Sequence, residues 1–273
     1  MERIGRHVYA FLKSVPKNEL TEDQILQLED YENGKNEHVT EYQMNFRKEY
    51  FERLLKDQVH EEIVITKDQL WRDFNSIYHQ DNSVFFSTDK DSIENLKAVF
   101  CYFLKDDAFF DCQRLIKSYN EPSFDKGILI IGSYGNGKTS IMKALYKCFM
   151  NYKNYSFACY DANDLVNDYE ACEDSTSKDS FWRKLTAGRA YFDDVKTERQ
   201  ASNYGKVNLF KDILERRNAR SLITHMTGNY TQEKPNDLGE ALKEYGTKYG
   251  SRVYDRLFSD FNIIEFKGKS FRK

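Results

Sequence analysis

Residues 127–140 read Gly-Ile-Leu-Ile-Ile-Gly-Ser-Tyr-Gly-Asn-Gly-Lys-Thr-Ser. An apolar run at 128–131 passes directly into Gly132-x4-Gly137-Lys138-Thr139, and apolar residues at helical spacing follow: Ile141, Met142, Leu145, Cys148 and Phe149. A buried strand, a glycine-rich turn and a helix in that order constrain the fold more than anything else in the chain. Glycines let the backbone curl until its N–H groups converge on a phosphate. The spacing predicts a nucleotide-phosphate loop built from Gly132, Ser133, Tyr134, Gly135, Asn136, Gly137, Lys138, Thr139 and Ser140. Lys138 is placed to reach the β- and γ-phosphates of ATP, and the Thr139 hydroxyl to bind Mg²⁺.

The rest of the chain fits a globular, helix-rich protein. It has 273 residues, 40% hydrophobic and 31% charged, with only three prolines, which is enough to bury a core in one or two domains. No apolar run approaches the ~20 residues that span a bilayer, so no membrane partner is expected. The opening Met-Glu-Arg-Ile-Gly-Arg-His lacks a signal-peptide apolar region. Five cysteines (101, 112, 148, 159 and 172) show no Cys-x-x-Cys pair. They read as reduced thiols in a cytoplasmic protein rather than as disulfides or a zinc site. Residues 1–90 carry 12 basic and 18 acidic side chains, an acidic surface suited either to a protein partner or to plain solvation.

The order of elements predicts two domains, 1–90 and 91–273. The first reads as helical. Thr21-x-x-Gln24 forms a capping box for a helix ending at Asn33-Gly34. Tyr42, Phe46, Tyr50, Leu54 and Leu55 stripe a second helix, and Leu70, Trp71, Phe74, Ile77 and Tyr78 a third. From 91 onward, Asp91 is expected to cap a helix through Leu104, and Phe110, Leu115 and Ile116 mark another. Strands are then expected at 128–131, 155–160, 190–192, 222–226 and 261–266. Helices follow the phosphate loop, Asp161 and Val207, and 173–180 is left as a polar stretch. Such alternation gives a parallel sheet covered by helices on both faces, with ligands at the carboxyl ends of its strands.

Acids and amides fall where those strands end. Asp193 and Asp194 follow Ala190-Tyr191-Phe192; one carboxylate can hold Mg²⁺ and the next can activate water. Alone, such an acid pair would be an ordinary turn. Thr227-Gly228-Asn229 follows the next strand, with a polar group for the γ-phosphate or a simple turn as the two readings. Arg252 and Arg256 lie four apart on one helical face.

Taken in order, Gly-Ser-Tyr-Gly-Asn-Gly-Lys-Thr, Tyr-Phe-Asp-Asp-Val-Lys-Thr-Glu, Thr-His-Met-Thr-Gly-Asn-Tyr, Tyr-Gly-Ser-Arg-Val-Tyr-Asp-Arg-Leu and Lys-Ser-Phe-Arg resemble the DnaC/IstB group of AAA+ ATPases. The likeness covers about Gly127 to Arg272. It implies a P-loop AAA+ sheet in the order 5-1-4-3-2, almost no carboxyl-terminal lid, and a mainly helical amino-terminal domain. By the same resemblance Lys138 and Thr139 are Walker A residues, Asp193 the Mg²⁺-binding Walker B acid, and Asp194 the water-activating acid. Asn229 is sensor 1, with Thr227 as second choice. Arg256 is the arginine finger, with Arg252 as fallback, and Arg272 is sensor 2. The acid is Asp where many AAA+ proteins have Glu, and Glu198 is a possible assistant or a surface residue.

The resemblance further implies ATP bound and hydrolysed between subunits, an ATP-dependent oligomer, and the loading of a replicative DNA helicase onto single-stranded DNA, with 1–90 gripping the helicase. The alternative is a transposition helper acting with a transposase. Tyr169, Phe181, Trp182, Arg183 and Lys184 are candidates for DNA contact, unless Phe181 and Trp182 pack in the core.

Overall fold

The apolar run before the phosphate loop becomes a strand buried on both faces, since successive side chains point to opposite sides of a sheet. The computed structural model describes residues 4, 6–33, 64–202 and 206–271. The helix expected over 42–55 and the terminal Arg272 lie outside the described residues.

Two compact units divide the chain, 1–63 and 64–273. In the first, helices α1 (Arg6–Ser14) and α2 (Glu22–Glu32) meet through a Tyr9–Tyr31 ring stack at 4.3 Å. The capping box forms as expected: Gln24 N donates to Thr21 Oγ1 at 3.4 Å and Thr21 N to Gln24 Oε1 at 3.0 Å. The helix stops before Asn33.

The second unit opens with α3 (Lys67–Asn82) and α4 (Lys90–Phe103). Leu70, Phe74 and Tyr78 of α3 pack in one core with the helix that follows the phosphate loop. The unit therefore begins at Val64 and not at 91. Asp89, not Asp91, caps α4. Its carboxylate accepts from Ser92 N at 3.1 Å and from the Ser87 and Ser92 hydroxyls, each at 2.6 Å. Asp91 instead pairs with Arg114. The helix expected near 110–116 is a 3-10 turn, Asp107–Asp111, and a two-residue strand β1 (Leu115–Ile116). The Asp106 side chain starts that turn by accepting from Ala108 N at 2.9 Å, and β1 pairs antiparallel with the last strand.

Then come β2 (Gly127–Gly132), α5 (Lys138–Phe149), β3 (Ala158–Asp161), α6 (Ala162–Glu170), α7 (Ser175–Leu185) and β4 (Ala190–Val195). A small ribbon, β5 (Ala201–Ser202) and β6 (Lys206–Val207), precedes α8 (Leu209–Ala219) and β7 (Thr224–Asn229). Helices α9 (Leu238–Tyr249) and α10 (Ser251–Asp260) and strand β8 (Phe261–Phe266) complete the unit. Helix α7 occupies what the sequence suggested was only a polar stretch. Its signal was Asp174-x-x-Ser177, a second reciprocal cap.

The sheet order is β1-β8-β2-β7-β4-β3. Leaving aside the antiparallel edge β1, the five parallel strands run 5-1-4-3-2 when counted from β2, the order the resemblance implies. Leu129, Ile131, Phe192, Met226 and Ile263 face α6–α10, while Ile128, Ile130, Tyr191, Ile264 and Phe266 face α3–α5. Each large apolar side chain buried this way contributes about 1.5–3 kcal/mol. Beyond β8, residues 267–271 form no helix.

Candidate active site

The glycine-rich 132–140 loop is held by its own polar groups. Lys138, buried at the first turn of α5, donates from Nζ to Gly132 O at 2.9 Å, Ser133 O at 2.8 Å and Asn136 Oδ1 at 3.1 Å. Asn136 in turn donates to Phe266 O at 3.1 Å. Gly137 sits at φ +91°, in the left-handed region that favours glycine. A Cβ on Gly132 would come within 2.5 Å of Asn136 Nδ2 and 2.7 Å of Phe266 O. Tyr134 is half-exposed on the loop, and Ser140 follows in the first turn of α5. The Phe271 N–H donates to Gly135 O at 2.9 Å, so the chain after β8 returns to the loop.

Opposite the loop stands Asp193, 2% exposed. Its Oδ1 accepts from Thr139 Oγ1 at 2.9 Å, Tyr191 Oη at 2.6 Å and Thr227 Oγ1 at 2.7 Å. Lys143, one turn beyond Thr139, places Nζ 3.5 Å from Oδ2. Thr139 gives its proton to Asp193, so its oxygen lone pairs stay available.

Between Phe192 and Val195 the register of β4 against β7 slips, and two residues of β4 oppose Thr227 alone. This β-bulge re-aims the strand. Asp194 takes φ +52° and Lys196 φ +83°, conformations that cost a non-glycine residue energy and persist only where neighbours enforce them. Thr227 Oγ1 accepts the Asp194 N–H at 3.1 Å. Asn229 Nδ2 donates to Asp194 Oδ1 at 2.6 Å, and Thr197 Oγ1 lies 3.3 Å from Oδ2. Asn229 thus stands at the strand end beside the acid, while Thr227 lies two residues deeper. A cleft of about 660 Å³ opens beside Tyr134, Asn229, Thr231 and Thr247.

Glu198 is not a surface residue. It is 6% exposed, accepts from Tyr249 Oη at 2.7 Å and from Lys196 N at 2.9 Å, and pairs with Lys248 at 3.0 Å. Arg256 lines a small cavity with Leu222 and Thr224, at the amino end of β7. Thr224 and Asn229 are five residues apart on that strand, about 16 Å at ~3.3 Å per residue. Arg256 therefore lies far from its own phosphate loop. Arg252 is exposed on the same helix.

Two of the proposed DNA-contacting aromatics are core residues. Tyr169 and Phe181 are buried against each other, with ring centroids 5.5 Å apart. Trp182 is covered by the Arg216 guanidinium at 4.1 Å. Arg183 and Lys184 remain exposed.

Sequence reasoning missed Tyr191, Arg217 and His225. Tyr191 stands two residues before Asp193 on one strand, hence on the same face. Burial and the Asp193 charge push its phenol well above its usual range, so it stays a donor. Arg217 is fully buried and satisfied by Thr224 Oγ1 at 2.9 Å and by the carbonyls of Leu185, Gly188 and Ile223 at 2.6, 2.8 and 2.9 Å. Burial lowers its pKa to about 10. His225 Nδ1 accepts from Ile128 N at 3.3 Å, and burial pushes the imidazole down to about 3.

Among the described residues no cluster of three or more His, Cys, Asp or Glu could hold a metal, and no helix is long and apolar enough to cross a membrane. No family model matches the chain, and no curated protein matches it. Among solved structures it is similar to the crystal structure of the DnaC helicase loader: 16% identical, covering 74% of this chain and 100% of that one, with a TM-score of 0.49. It is similar to the crystal structure of DnaI at 18% identity, 75% and 96% coverage, and a TM-score of 0.46. For a putative primosome component from Streptococcus pyogenes serotype M3 the values are 17%, 68%, 84% and 0.45. Likenesses this distant leave the reading of the site to its own residues.

Proposed function

We propose that this chain is an ATPase that binds ATP in the 132–140 loop, hydrolyses it at subunit interfaces, and uses that cycle to load a replicative DNA helicase onto single-stranded DNA. The observation that carries the nucleotide reading is the meeting of Thr139, Asp193, Asp194 and Asn229 at the carboxyl ends of β2, β4 and β7. It supports distinct roles for the two acids. Asp193 accepts three hydroxyl protons in a buried setting. Asp194 is turned outward by the bulge, with Asn229 fixing one oxygen, the posture of a group that takes a proton from water.

Thr139 and Asp193 offer the hard oxygen donors that Mg²⁺ prefers. Bound there, the ion would neutralise charge developing on the β- and γ-phosphate oxygens. Lys138 would contact the same phosphates, and the loop N–H groups would orient them. Because Arg256 lies at the far end of β7, it can serve an ATP only on a neighbouring copy, which supports self-association. Arg272 remains the sensor 2 proposal from sequence. The helicase part rests on the ordered motifs at 250–257 and 269–272 and on the acidic charge of 1–90.

The test is capture of the host's replicative helicase by the full chain with ATP, with ADP and without nucleotide, alongside Lys138→Ala. ATP-dependent capture that Lys138→Ala loses is expected. ATP turnover without capture in any state would remove the loader assignment and direct the same assay to a transposase.

A further inference from the structure

Lys196 and Glu198, two and four residues beyond Asp194, are wired to helix α9. The Lys196 side chain is only 5% exposed and pairs with Glu244 at 2.6 Å. Its Nζ also donates to Asn229 O at 2.8 Å and Ala241 O at 3.3 Å. In the opposite direction, Lys248 of α9 donates from Nζ to Lys196 O at 2.5 Å and Glu198 O at 2.7 Å. Tyr249 Oη, at the end of the same helix, accepts the Lys196 N–H at 3.1 Å and donates to Glu198 at 2.7 Å. Each segment thus sends a lysine into the other. Of the two ammonium groups, that of Lys196 is buried and costs desolvation, and burial holds its amine below the usual range despite Glu244. Such a cost is met only by a complete set of partners, and here the set is complete.

The location of this double clasp gives it a consequence. Lys196 is itself left-handed, at φ +83°, just past the end of β4 and two residues beyond Asp194 at φ +52°. Its contact with Asn229 O fixes the end of the strand whose amide holds Asp194. Helix α9 passes through Gly250 straight into α10, which carries Arg252 and Arg256.

Resting on the ATPase reading above, we propose that Lys196 and Lys248 are positioning residues. They hold Asp194 in its outward conformation and tie that conformation to the helix pair presenting the arginines to the next subunit. The clasp touches neither the phosphate loop nor Asp193. It should therefore act on turnover rather than on nucleotide binding.

The experiment compares the wild-type chain with Lys196→Met, Lys248→Met and the double variant. Mg²⁺-dependent binding of a fluorescent ATP analogue, steady-state ATP turnover and the melting temperature are measured for each. The expected result is binding within about threefold of wild type and kcat at least tenfold lower in each single variant. The double variant should be no slower than the worse single one, because the two side chains act as one unit. If a Met variant fails to fold, Glu244→Gln removes the charge opposite Lys196 from a partly exposed site and should lower kcat severalfold. Wild-type kcat in the folded variants, or equal losses in binding and kcat, overturns the clasp while leaving the ATPase reading intact. A wild-type chain that binds and hydrolyses no ATP overturns both.

Discussion

Asn229 Nδ2 lies 2.6 Å from Asp194 Oδ1, so an amide ending one strand orients a carboxylate that a bulge has turned out of the next. The bond joins residues 35 apart in sequence and leaves the Thr139–Asp193 contact to a separate pair. Changes at 194 and 229 should accordingly spare nucleotide binding. Asp194→Asn and Asn229→Ala are each expected to lower turnover at least 100-fold, about 2.7 kcal/mol at ~1.36 kcal/mol per decade. Affinity for Mg²⁺-ATP should stay near wild type. Turnover unchanged in Asp194→Asn would show that another group activates the water.

Tyr191 supplies one of three hydroxyl protons on Asp193 Oδ1. A hydrogen bond to a charged group is worth about 1.5–3 kcal/mol. Tyr191→Phe keeps the ring in the core and removes only the donor. The Mg²⁺ concentration for half-maximal turnover should shift by about tenfold, with the fold retained. A Mg²⁺ titration of the purified variant reads this directly, and an unmoved midpoint would place Tyr191 among packing residues only.

Arg256 and the phosphate loop lie at opposite ends of the sheet. Arg256→Ala and Lys138→Ala should each be inactive alone, the first by about 10³-fold if it acts as a trans arginine. Mixing the two inactive chains should restore part of the activity, because one copy keeps an intact loop and the other an intact arginine. No recovery at any mixing ratio would count against a shared site.

Among the described residues Arg217 has no carboxylate partner; three carbonyls and the Thr224 hydroxyl satisfy its guanidinium. Arg217→Met would leave those acceptors buried and unmatched, at about 1–3 kcal/mol for each one water cannot reach. Chemical denaturation monitored on the 64–273 unit should show a loss of at least about 3 kcal/mol. A loss under about 1 kcal/mol would mean the pocket admits water.

His225 is neutral in the fold, with its pKa depressed to about 3 by burial against ~6.5 in an unfolded chain. Between those values the unfolded state binds the extra proton. The stability this group contributes is therefore fully present above about pH 6.5 and lost as pH falls toward 3, at up to about 1.36 kcal/mol per pH unit. His225→Asn keeps an acceptor for the Ile128 N–H and does not titrate. It should be less stable at neutral pH and have a flatter acid limb in melting temperature against pH. An acid limb as steep as wild type would assign the loss to other groups.

How much of this was legible depended on the range of the interactions. The phosphate loop, its strand and its helix were readable because turn glycines, an apolar run and a helical stripe are local signals in consecutive residues. Strand β7 was placed too early, at 222–226, because its Thr-His-Met-Thr-Gly-Asn is polar and looks like a turn. Those groups are buried at partners far along the chain: His225 at Ile128, Thr227 at Asp193, Asn229 at Asp194. Tyr169 and Phe181 looked available for stacking on bases until the fold placed them against each other.

Glycine spacing, Lys138, Thr139 and an acid pair after a strand are local signals, so the pieces of the proposed phosphate site could be named from the chain alone. The different surroundings of the two acids came from the fold. Asp193 and Asp194 are neighbours of one residue type, and nothing local separates them. The slip in register between β4 and β7 buries one beneath three hydroxyls and turns the other outward. A strand's register is settled by its partner strand and by the side chains that enforce it, not by its own residues.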